Sequence, residues 1–121
     1  MDSILDHYDA LINKFTVIEN ACTSALNPVL LSVPKFIVCD PMGTIAVMKD
    51  GELNVIADNF YNIQKFTSQK EAKQFLKGFN AEGISIFSEK LALIHIRARC
   101  RAVLKVMNKD LKKYGPKKEG Y

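Results

Sequence analysis

Arg97, Arg101, Lys105 and Lys109 recur at intervals of four residues, and Lys112 follows them. Positions four apart are neighbours on a helix, so this spacing lines cations along one side. Each like-charge pair at that spacing costs about 0.2–0.5 kcal/mol, so helix stability alone does not call for the row. An acidic counterpart accounts for it, whether this chain's own acidic half, another protein or a nucleic-acid backbone, and the alternative is a solvated helix face with no partner. Contacts with several phosphates would make affinity fall steeply with salt. These five residues are the candidate binding site for an anionic partner.

The remaining chemistry-bearing residues form no comparable set. His7 stands near Asp6 and Asp9, but positions 6, 7 and 9 do not converge on one point of a helix as an i, i+4 ligand pair does. His95 is far away in sequence. Cys22, Cys39 and Cys100 show no Cys-x-x-Cys spacing, which argues against structural zinc and dithiol chemistry. Cys22 and Cys100 read as small buried hydrophobes. Cys39, before Asp40-Pro41, sits where a nucleophile can sit, with no histidine placed by sequence to activate it. No glycine-rich phosphate loop is present. Phe36, Phe60, Tyr61 and Phe66 offer aromatic rings for base stacking or, the better reading, for core packing. The expectation is a chain with no catalytic residue, no metal and no cofactor, and no small-molecule substrate is inferred.

Charge sharpens the reading of the basic row. The net charge is +4, yet residues 1–60 carry −5 and residues 61–121 carry +9. Residues 97–118 hold nine Lys or Arg and a single acid, Asp110. Such asymmetry marks a basic surface. With 121 residues, 48% hydrophobic and 25% charged, the chain fits one globular domain and not a disordered polymer. It has no apolar run of membrane-spanning length and no leader-like N-terminus. Its odd, scattered cysteines suit a reducing, cytoplasmic setting.

Elements must hold these residues in place. Ile4, Tyr8, Leu11, Phe15, Ile18, Cys22 and Leu26 form one stripe at helical spacing, predicting a helix over residues 3–26, with Ser3 as cap and a stop at Asn27-Pro28. Strands are expected at 35–39, 44–49 and 52–57, joined by a turn at Asp40-Pro41-Met42-Gly43 and a type I′ hairpin at Asp50-Gly51. A short fourth strand is expected at 61–66. Ser68 and Glu71 match a capping box before a helix over 69–79. Residues 84–87 form an edge strand or an extended link. Ser88 then caps a last helix running to about Lys113, where Gly115-Pro116 stops it. This order predicts an α+β fold: three or four antiparallel strands packed against the N- and C-terminal amphipathic helices in two layers. It fills one domain over residues 1–115, with a flexible basic tail at 116–121.

In the last helix Leu93, Ile96, Cys100, Val103, Leu104, Met107, Leu111 and Tyr114 form the core-facing stripe, and a second apolar row, Leu91, Ile94, Ala98, Ala102 and Val106, lies outside it. Its first four members are the candidate oligomer contact, the alternative being deep burial. In general character, a small lysine-rich chain with one α+β domain resembles accessory proteins encoded by tailed phages. That resemblance brings no site residue with it. The functional expectation is a non-enzymatic binding protein whose basic C-terminal helix contacts nucleic acid or a nucleic-acid-handling complex. The alternative is a protein–protein factor, an inhibitor or assembly component, that meets an acidic protein surface or a second copy of itself.

Overall fold

The computed structural model describes residues 2–79 and 82–114, with side chains from residues 7 to 79 and 82 to 113. Helix α1 spans Asp2–Ala25 and turns Phe15, Ile18 and Cys22 inward. The Ser3 cap lies outside the described side chains. Past the helix, Asn27 Oδ1 accepts from the Val29 amide at 2.8 Å and the Asn27 carbonyl accepts from the Leu31 amide at 2.9 Å. This folds the proline-bracketed connection into a tight turn that returns Leu31 to the core.

Strands β1 (Phe36–Cys39), β2 (Ile45–Val47), β3 (Leu53–Val55) and β4 (Ser85–Ser88) form one antiparallel sheet in the order β3-β2-β1-β4. The segment at 84–87 is thus an edge strand, paired along β1 from Phe36↔Ser88 to Cys39↔Ser85. Helix α4 (Glu89–Tyr114) follows directly, with Ser88 Oγ accepting from the Leu91 amide at 3.2 Å. The stop at Gly115-Pro116 and the basic tail fall outside the described residues.

The expected α+β architecture is present. α1 and α4 run antiparallel over one sheet face, enclosing Ile37, Cys39, Ala46 and Met48 with Ile18, Cys22, Ile96 and Cys100. Alternation sends Val38 and Val47 to the other face, where helix α3 (Gln69–Lys77) adds cover through Ala72, Phe75 and Leu76. Ser68 Oγ accepts from the Glu71 amide at 3.1 Å. The Glu71 carboxylate accepts from Thr67 instead of Ser68, so the capping box is shifted by one residue.

Two local expectations are corrected. The Asp50-Gly51 hairpin is not type I′, because no described non-glycine residue has positive φ. The Gly51 amide donates to the Met48 carbonyl, the Met48 amide donates to the Glu52 carbonyl, and Gly51 alone takes φ +86°. That is a three-residue loop with a left-handed glycine, which needs only one positive φ. No fourth strand occupies 61–66. Short helix α2 (Ile56–Asn59) and a 3-10 turn (Phe60–Asn62) come first, followed by single bridges Ile63↔Met48 and Phe66↔Phe36. Phe60 packs in the core beneath α1 and α4, and Phe66 in the core beneath α3. The segment therefore crosses from one face of the sheet to the other and cannot continue as a ladder.

The β1–β2 turn locks the sheet to α4. Asp40 Oδ1 accepts from the Thr44 amide at 2.8 Å and the Ile45 amide at 3.0 Å, and its Oδ2 accepts from the Thr44 hydroxyl. Partial burial pushes the Asp40 carboxyl up, but these bonds outweigh it and hold the group below the usual aspartate value. Gly43, at φ +72°, lies so close to α4 that a Cβ there would sit 2.8 Å from the His95 carbonyl oxygen. At Gly51 a Cβ would meet nothing within 4 Å. Gly51→Ala should therefore carry only the left-handed strain, about 1 kcal/mol. Gly43→Ala adds overpacking and should lose more than about 2 kcal/mol. Urea unfolding midpoints check the order, and equal losses would contradict the close approach.

Candidate anionic-partner surface on α4

Ala92, Leu93, Ile96, Cys100 and Met107 are buried, which fixes the rotation of α4 about its axis. A step of four residues advances about 40° around a helix, so a row at that spacing winds instead of staying on one face. Arg97 begins it half-buried against α1, its Nη1 donating to Thr23 Oγ1 at 3.5 Å. Arg101 is next, and its Nε meets Glu19 Oε2 at 2.6 Å. Lys105, Lys109 and Lys112 are exposed and make no ion pair with a described residue. The five candidates thus divide. Two bind α4 to α1, so part of the charge split is satisfied internally, and three face outward. The only acid in the basic run, Asp110, accepts from the Tyr8 hydroxyl at 3.2 Å, which with Asp110's charge raises the Tyr8 pKa. That bond turns it toward α1, on the far side from the row's outer end.

The second apolar row is not deeply buried. Leu91 is 42% exposed and Val106 60% exposed, Ala98 and Ala102 are exposed, and Ile94 is half-buried. The sequence shows two apolar rows on this helix but not which one the sheet covers. Phe15 and Leu104, each central in its stripe, are half-buried as well.

The other candidates are dispersed. Phe36 and Phe66 lie on the opposite side of the sheet from Phe60, and Tyr61 alone is largely exposed, at 69%. The four rings therefore form no common stacking platform. His95 packs edge-on against Phe87 at 5.3 Å, while His7 is exposed. The described residues contain no His/Cys/Asp/Glu cluster able to hold a metal. All three cysteines are free and buried. Burial pushes the Cys22 and Cys39 thiols up to about 12 and the Cys100 thiol up to about 11. A thiol so protonated is a poor nucleophile, which turns Cys39 from a candidate reactive group into a packing residue. No helix among the described residues is long and apolar enough to cross a membrane. No known family, curated protein or solved structure matches the chain.

The thiol shifts have a measurable consequence. Their folded-state pKa values lie above the unfolded value of about 9, so the unfolded chain loses these protons first. The stability they contribute is complete below pH 9 and is lost as pH climbs toward 11–12. Urea midpoints should fall progressively above pH 9. Cys22→Ala, whatever its own cost, should lose less between pH 9 and 11 than the parent chain. Parallel profiles for the two would remove the thiol contribution.

Proposed function

We propose that this chain is a non-enzymatic binding protein whose α4 presents Lys105, Lys109 and Lys112 to an anionic partner, with a nucleic-acid backbone as the first choice. The observation that carries this reading is the state of those three side chains. They lie within about 60° of one another around the axis and spread over about 10 Å along it. They stand exposed on a helix whose opposite face is held by Cys100 and Met107. A preorganised row of cations loses little entropy when it meets phosphates. Arg101 and Arg97, engaged with α1, have the supporting task of fixing the helix that carries the row.

Lys105→Glu with Lys109→Glu is the fitting variant, because Arg101→Glu would set a second carboxylate against Glu19. Both lysines are exposed, so folding should stay within about 0.5 kcal/mol of the parent. Duplex DNA and single-stranded RNA should bind the parent chain at low salt. Three phosphate contacts would give log K against log salt a slope of about −3 on duplex. The double variant should lose this binding. Retention of binding with an unchanged slope would sink the assignment.

A protein–protein role is favoured by a different observation, the apolar row Leu91, Ile94, Ala98, Ala102 and Val106, exposed except at the half-buried Ile94. Four members of the row are self-complementary about position 100: in an antiparallel pair of α4 helices, Ile94 meets Val106 and Ala98 meets Ala102, while Leu91 falls opposite Lys109. The alanines would set the closest approach, a two-fold contact of ridges in grooves. Light scattering across a wide concentration range should then show a dimer that Ala98→Glu dissociates. A monomer throughout removes this contact.

A further inference from the structure

Far from the lysine row, the structure forms a cavity of about 410 Å³ at the end of the sheet where α1 finishes and α4 begins. Its size falls in the range of small-molecule sites. The floor is apolar: Ile37 of β1, Ile63 after the 3-10 turn and Leu93 of α4, each almost fully buried. Phe60 and the small side chains of Ala21 and Ala25 form the wall. Ala21 and Ala25, which lie beside the apolar stripe of α1, put little bulk into this space.

The rim is basic. Lys49 and Lys65 both line the cavity and are exposed, with Gln64 half-buried between them in sequence. Two backbone hydrogen bonds tie this rim to the sheet: the Lys49 amide donates to the Asn62 carbonyl at 2.7 Å, and the Gln64 amide to the Val47 carbonyl at 3.0 Å. Lys65 Nζ already holds one carboxylate, that of the buried Glu89 in the first turn of α4, at 2.9 Å. The side chains of Lys49 and Gln64 have no partner among the described residues. An ammonium and an amide donor thus stand free above an apolar floor that is held in place by the sheet. A neutral apolar guest would use the floor and leave the rim idle, and a hydrophilic anion would do the reverse. The occupant that uses both is amphipathic.

We propose that this cavity binds a small amphipathic carboxylate, an apolar body seated on Ile37, Ile63 and Leu93 with its carboxylate accepting from Lys49 and Gln64. The alternatives, a neutral apolar molecule or no ligand, are outcomes of the test. The probe pair is octanoate and octanol, which share a chain and differ in the head group, titrated calorimetrically into the full chain. Octanoate should bind about tenfold or more tighter than octanol, the contribution of a charge-assisted contact. Lys49→Met keeps the apolar stem and removes the cation; it should weaken octanoate about tenfold and leave octanol unchanged. Ala25→Phe fills the cavity and should abolish both. Amide shift mapping on the parent chain keeps the site testable should Ala25→Phe not fold, since octanoate should move Ile63 and Leu93. Equal affinity for the two probes overturns the carboxylate assignment. Absence of binding, or octanoate shifts that avoid Ile63 and Leu93, overturns the site.

Discussion

The antiparallel seam between α1 and α4 is the contact on which the rest of the molecule depends. The strands are three or four residues long, so the sheet offers about 13 Å along a strand. The helices have 24 and 26 residues, or about 36–39 Å each. A sheet of this size can bury only one stretch of each helix. Beyond that stretch, α1 and α4 have chiefly each other. Ile18 and Cys22 are buried on α1, whereas none of its described residues 7–14 is. The cross-helix bonds Arg101–Glu19, Arg97–Thr23 and Tyr8–Asp110 follow this seam. An ion pair as exposed as Arg101–Glu19 adds little stability by itself. The rotation of α4 is set by its buried residues Leu93, Ile96, Cys100 and Met107, and the pair closes the edge of the seam that this rotation leaves.

That geometry explains what the sequence does and does not reveal. The stripes of α1 and α4, the capping serines at 68 and 88 and the positions of the turns at Asp40 and Asp50 are local features, and local physics predicts them, though not the type of the Asp50 turn. The stripe identifies which face of a helix turns inward. It does not identify how much sheet lies there, and so Phe15 and Leu104 read as core residues and emerge half-covered. The same limit applies to the outer row of α4, whose burial or exposure is decided by the sheet's length and not by its spacing. Glu19 and Arg101 lie 82 positions apart, and no spacing rule pairs them. The cavity is less legible still. It draws its lining from α1, β1, the 3-10 turn and α4, and its key feature is the absence of bulk at Ala21 and Ala25.

The fourth strand expected at 61–66 is absent for a related reason. Its β-branched and aromatic residues favour a strand on propensity. Tertiary demand overrides propensity here, since Phe60 and Phe66 are required on opposite faces of the sheet. The resulting crossing also forms the rim of the cavity, by placing Gln64 and Lys65 beside Lys49. The feature that breaks the strand pattern is thus the one that makes a concave site.

The acidic and basic halves of the chain meet the same constraint differently. Asp40 holds the β1–β2 turn, Asp50 accepts from the Glu52 amide, Asp58 pairs with Lys14, Glu19 with Arg101, Glu71 caps the approach to α3, and Glu89 pairs with Lys65. Carboxylates accept from backbone amides readily, so turns and helix starts engage them. Lysines have no equivalent local task, since an ammonium only donates and most buried carbonyls are already satisfied by the ladders and helices. Several acids are thereby engaged in the fold, while Lys49, Lys105, Lys109 and Lys112 face solvent with no partner among the described residues. The net charge of +4 is unevenly placed: Glu19 pairs within the α1–α4 seam and Asp40 holds a turn, while unpaired lysines project from α4 and from the cavity rim. The two places where unpaired cations stand next to apolar surface, one beside the outer row of α4 and one above the cavity floor, are where an anionic partner of the kind proposed would gain most from both forces at once.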